Sequence, residues 1–152
     1  MTKIDFYHLQ NQTLENVLPK LLEKSYQLGK KILIRIGNEE RVEFINNLLW
    51  TYDEESFLPH GSKKDGHAEA QPIWLTSEND NPNNADFLFL TDGAEADCEE
   101  IKKFERVFNI FDGNSAPAVE KARNFWKELK QNSLDVSYWK RNDNGIWEQQ
   151  GG

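Results

Sequence analysis

A single cysteine, Cys98, among 152 residues leaves no intrachain disulfide to build with, which agrees with a reducing compartment. No apolar run approaches the ~20 residues a membrane helix needs, and the opening Met-Thr-Lys-Ile-Asp has no apolar signal core. A soluble cytoplasmic protein with no membrane partner is expected. Basic charge is scarce: 18 Lys and Arg stand against 26 Asp and Glu, a net charge of −8. The deficit is local, because residues 77–100 hold eight acids and no Lys or Arg, and the remainder balances at 18 against 18. Bare nucleic acid is bound mainly by neutralising phosphates, so direct nucleic-acid binding is not expected.

Glycine is missing from the first strand–helix junction, His8 to Thr13. A dinucleotide fingerprint requires glycines there, so that the backbone can approach the pyrophosphate. No loop ends in Gly-Lys-Ser/Thr, and Gly37-Asn38-Glu39 would set a carboxylate against a phosphate. The three histidines are His8, His60 and His67. His60 and His67 share a polar loop with Asp65 and Glu69 but lack ligand spacing, and are read as solvated. The acids Asp92, Glu95, Asp97, Glu99 and Glu100 lack the fixed positions of a calcium loop and are read as a solvated face. There is no Gly-x-Ser-x-Gly elbow, and acidic neighbours would raise the pKa of Cys98 and blunt it. Neither a catalytic residue, a metal nor a cofactor is expected.

A chain of this length buries enough surface to hold a core unaided. Residues 2–8 alternate as a strand. Residues 13–29 follow a 3.6-residue period, with Thr13 as N-cap and Gly29 as stop. Pro19 conflicts with that period and predicts a kink or a late start. Strands are predicted at 31–36, 72–76, 86–91, 106–111 and 134–139, and helices at about 38–50, 97–104 and 115–131. Residues 52–71 read as one long loop, and the chain beyond about 141 as a loose tail. Alternating strands and helices give an α/β class: one three-layer, Rossmann-like domain over 1–152, with a mostly parallel sheet and no nucleotide-binding loop.

Two surfaces stand out. One begins at Leu48-Leu49-Trp50 and continues through Ser56-Phe57-Leu58-Pro59-His60. Large apolar groups in a polar loop either fold inward or await a partner. The other is the last helix. Ala118, Ala122, Phe125 and Leu129 form its core stripe, while Arg123, Trp126, Lys127 and Lys130 line an adjacent face. Between 119 and 141 six basic residues face three acids, which suits a ligand both acidic and apolar.

"LLWTYDEESFLPHG" at 48–61 resembles the signature of the chi subunit of bacterial DNA polymerase III holoenzyme. Asp5-Phe6-Tyr7, "QPIWLT" at 71–76, "NNADFLFLTDG" at 83–93, "FERVFNIFDG" at 104–113 and "ARNFWK" at 122–127 agree in order. The resemblance implies a non-catalytic clamp-loader adaptor with two partners. The psi subunit would be held by Trp50 and Phe57, supported by Leu58, Pro59 and His60. The acidic C-terminal tail of single-stranded DNA-binding protein, which ends in a phenylalanine carboxylate, would be held by the last helix. Arg123 would take the carboxylate, Trp126 the phenylalanine and Lys127 the tail acids, with Trp139 near the same pocket. Val119 stands where relatives can carry a lysine, and Lys121 or Lys130 is expected to supply that charge. The rival reading is a small nucleotide- or metal-dependent hydrolase on a Rossmann-like scaffold, using the acids between 91 and 100 and His60.

Overall fold

The computed structural model describes residues 2–10, 12–51, 59–63, 65–141 and 146–150. In chain order the elements are β1 (Lys3–Leu9), α1 (Leu14–Gln27), β2 (Ile32–Ile36), α2 (Glu39–Thr51), β3 (Gly61–Ser62), a single 3-10 turn (Ala68–Ala70), β4 (Ile73–Thr76), β5 (Phe87–Thr91), α3 (Cys98–Ile101), β6 (Arg106–Asp112), α4 (Ala116–Gln131), β7 (Asp135–Arg141) and β8 (Trp147–Gln150). The strands form one sheet in the order β3-β4-β2-β5-β6-β1-β7-β8, parallel except where β8 meets β7. This is the expected α/β class.

Side chains alternate across a strand, and this sheet is covered on both faces. Ile32, Ile34 and Ile36 of β2, Phe87 and Phe89 of β5, and Phe108 and Ile110 of β6 meet Val17, Leu18 and Leu22 of α1 and Val42, Ile45 and Leu49 of α2. On the other face Ile4, Phe6, Leu88, Leu90 and Val107 meet Cys98 and Ile101 of α3 and Ala122 and Leu129 of α4. Phe89 and Phe108 stack with ring centroids 4.3 Å apart.

Local chemistry sets the ends. Ser115 Oγ accepts from the Ala118 amide at 3.3 Å, with proline in the first turn of α4, where its missing N–H costs nothing. Asp97 caps α3 through the Glu100 amide at 2.8 Å. Thr13 precedes α1 but makes no side-chain capping bond. The helix neither starts late nor stops at Pro19, which is buried inside it and removes the i+4 donor of the Glu15 carbonyl. Gly29, at φ +76°, closes the turn after α1 by donating to Tyr26 O at 2.9 Å. Gly37 admits a close crossing: a Cβ there would stand 1.8 Å from Asp92 O.

Three expectations are corrected. The stretch read as one structureless loop holds β3 and the 3-10 turn at its described end. The predicted helix at 97–104 has only the four residues of α3. The tail is not wholly loose: Trp147 pairs with Arg141 and Gln150 with Tyr138, and Trp147 packs edge-on against Tyr7 at 5.1 Å.

Candidate functional site

Helix α4 crosses the sheet over β1 and β7, and its period decides what meets what. The stripe of Ala122, Phe125 and Leu129 faces the core. Trp126, one step off it, is partly buried, edge-on to Phe6 at 5.5 Å and to Tyr138 at 5.7 Å. Lys130 sits one turn on, with its ammonium 5.2 Å from the Trp126 ring centre. Arg123 and Lys127 lie on the exposed flank, and neither belongs to any ion pair among the described residues. What marks this face is the placement of two exposed cations beside the partly buried rings of Trp126 and Tyr138.

Two residues expected at this face are elsewhere. Lys121 is two positions from Arg123, about 200° round the helix. It donates to Gly93 O at 2.5 Å and pairs with Glu95 at 3.0 Å, so its charge is spent on the loop after β5. Trp139 points through the opposite face of the sheet, donating to Asp5 Oδ1 at 2.9 Å. Asp5 is also held by Arg106 at 2.5 Å.

The residue on the α4 side is Tyr138, which sequence reasoning passed over. Its register partner on β1 is Phe6, and its ring lies against Phe6 and Phe111 at 6.3 and 6.0 Å. Strand alternation was the available signal, since Val136 and Tyr138 share the face that Trp139 does not. The Tyr138 hydroxyl lies 2.5 Å from His8 Nδ1. Burial lowers the His8 pKa, as do Lys140 and Arg123, against a smaller opposite pull from Asp112. Burial raises that of Tyr138, and Arg123 opposes it. Arg123 therefore acts on both members of the pair. Tyr7, on the other face, is pushed up to about 12 by burial and by Asp5, against Arg106.

The second surface lies at the C-terminal end of α2. Trp50 is exposed there, with its ring centre 4.2 Å from that of His60. His60 is not solvated as expected. It is buried, and its Nε2 lies 2.9 Å from Asn46 O. Pro59 beside it is partly buried, while Phe57 and Leu58 fall outside the described residues. Phe44 is a further exposed aromatic of α2 that sequence reasoning missed; the Arg41 guanidinium lies 4.6 Å over its ring.

A cleft of about 1470 Å³ opens at the carboxyl ends of β1, β5 and β6, where parallel α/β folds bind ligands. Its walls carry acids, among them Glu15, Asp92, Glu95 and Asp112, which repel phosphate. The acids read as a solvated face are exposed at Asp92, Glu95, Asp97 and Glu99 and partly buried at Glu100, and each also has a partner. Asp92 accepts from Arg41 Nε at 3.2 Å, Glu95 pairs with Lys121, Asp97 caps α3, and Glu99 meets Lys102 at 3.5 Å. Glu100 takes the buried Arg35 in a fork at 2.6 and 2.8 Å. Asp92 bonds Arg41 near the start of α2, whereas His60 meets the Asn46 carbonyl and the Trp50 ring in its second half. No cluster of potential metal ligands occurs among the described residues. Burial raises the pKa of Cys98, and Glu128 adds to it. No helix among the described residues is long and apolar enough to cross a membrane.

Fold and site together define a parallel α/β domain whose distinctive surface is an aromatic, cationic helix face rather than a phosphate loop. Residues 1–137 match the family model described as "DNA polymerase III chi subunit, HolC". The chain belongs to the DNA polymerase III chi subunit family. It is similar to the probable DNA polymerase III subunit chi of Rickettsia prowazekii (strain Madrid E), 35% identical over 109 residues. That match covers 71% of this chain and 66% of the relative's length.

Proposed function

We propose that this protein is a non-catalytic, cytoplasmic replication adaptor. The end of α2, through Trp50 and the 57–60 segment, holds the psi subunit and through it the clamp loader. The face of α4 holds the acidic, phenylalanine-terminated tail of single-stranded DNA-binding protein. The observation that carries the reading is the pair of exposed cations, Arg123 and Lys127, without acid partners among the described residues and set beside the half-buried rings of Trp126 and Tyr138. Arg123 brackets the terminal carboxylate, the aromatic step receives the apolar side chain, and Lys127 and Lys130 face the preceding acids. Trp126 is also packing, so its role is shared between core and ligand. Two modest contacts in tandem raise the local concentration of the polymerase machinery at coated template. No ion, nucleotide or direct nucleic-acid contact is required.

The test is titration of a synthetic aspartate-rich peptide ending in a phenylalanine carboxylate. Wild type should bind it, and binding should weaken with salt. Arg123→Ala should lose at least about tenfold with an unchanged melting temperature. Equal affinity in wild type and Arg123→Ala would refute the site. A melting temperature raised by ATP, NAD or Mg²⁺ would favour the hydrolase reading instead.

A further inference from the structure

Tyr138 stands where the α4 face passes from apolar to charged. Its ring is fixed by Phe6, Phe111 and Trp126, and its hydroxyl has one protein neighbour among the described residues, His8 Nδ1. His8 is only 8% exposed, and its other nitrogen, Nε2, has no partner among the described residues. Nε2 is pressed against the backbone of Gly113, where a Cβ would fall 2.1 Å from the ring. There is no room on that side for a ligand.

The proton on this imidazole decides what Tyr138 offers to solvent. With the proton on Nε2, Tyr138 would donate to Nδ1 and show only lone pairs outward, and a buried N–H would be orphaned. With the proton on Nδ1, His8 donates to the tyrosine oxygen and only a lone pair goes unmet. Orphaned buried N–H groups are the rarer of the two. The second arrangement leaves the Tyr138 proton without an acceptor among the described residues. The Tyr138 ring packs edge-on against Trp126 at 5.7 Å, and Arg123 lies three residues before Trp126 on the same face of α4. An anion lodged there would receive a guanidinium and a hydroxyl together.

We propose that Tyr138, oriented by His8, is a second donor to the carboxylate that Arg123 binds, so that the site selects a free chain-terminal carboxylate beside an apolar side chain rather than acidity in general. This rests on the peptide-end reading above. Tyr138 touches the ligand, and His8 is a positioning residue.

The experiment titrates full-length protein with the aspartate-rich, phenylalanine-terminated peptide in two forms, free acid and C-terminal amide. Tyr138→Phe keeps the ring and removes one oxygen. It should weaken the free acid roughly tenfold and leave the amide unchanged. His8→Leu, with Tyr138 retained, should reduce the preference for the free acid by a similar factor, and the double substitution should add nothing further. Equal losses on both peptides, or none on either, would overturn the proposal while the α4 site stands. Failure of wild type to bind either peptide would remove the peptide-end reading, and this proposal with it.

Discussion

Glu100→Gln isolates Arg35, the one fully buried cation among the described residues. The Arg35 side chain is 2% exposed and Glu100 26%. The guanidinium donates to both carboxylate oxygens and to the carbonyls of Glu95 at 3.2 Å and Asp80 at 3.3 Å. The substitution keeps volume but removes the charge and turns one acceptor into a donor facing a donor. Breaking a buried pair costs about 3–5 kcal/mol, because the surviving charge is stranded. The two backbone carbonyls remain and Glu100 is partly wet, so about 3 kcal/mol is expected. For a domain of this size that lowers the melting temperature by roughly 6–12 °C, readable by circular dichroism, with a matching fall in urea midpoint at constant slope. Glu99→Gln, next door but 86% exposed, should leave the melt unchanged. Adding Arg35→Met to Glu100→Gln should recover part of the loss by removing the stranded charge. A Glu100→Gln protein that melts with wild type would refute the reasoning, since Arg35 would then be satisfied without its carboxylate.

Other outcomes are expected. His8 has a folded pKa below its ordinary 6.5, so below that value the unfolded chain binds the extra proton. The His8 contribution to stability is full above about 6.5 and is lost as pH falls through the folded value; a denaturant midpoint that declines equally in His8→Asn would disprove its source. Gly113→Ala sets a Cβ 2.5 Å from Leu9 O as well as against His8, and should cost about 1–3 kcal/mol in chemical denaturation. Trp50→Ala should weaken psi binding by ~2 kcal/mol and spare the tail peptide, as calorimetry with each partner would show. Phe44→Ala gives the same comparison for the outer side of α2, where an unaltered affinity would confine the contact to the Trp50 end.

Periodicity carried the layers well, because the stripe of Ala122, Phe125 and Leu129 and the unbroken apolar run of β5 are each set by one local rule. Parity was harder. Choosing Trp139 over Tyr138 is a one-residue difference, and in a strand one residue exchanges the two faces of the sheet. Of the alternatives Lys121 and Lys130, only Lys130 lies beside Trp126, since Lys121 stands two residues, more than half a turn, from Arg123. Long-range pairing left no local trace: Arg35 and Glu100 lie 65 positions apart, and the burial of His60 depends on a carbonyl from α2. The described end of the tail, Trp147 to Gln150, is a polar edge strand without the alternation that would have marked it.

The position of β1 inside the sheet has a consequence for biosynthesis. Its neighbours are β6 and β7, which leave the ribosome about 100 residues later, after roughly 5–20 s of translation. During that interval β4, β2 and β5 can pair, but the first strand has nothing to dock on and the outer edge of β5 stays open to other chains. Phe6, His8 and the floor under α4 come together only when the final third of the polypeptide closes over them. The face formed by α4, β1 and β7 is thus the last part of the molecule to exist, and a fragment released before the final third of the chain lacks it.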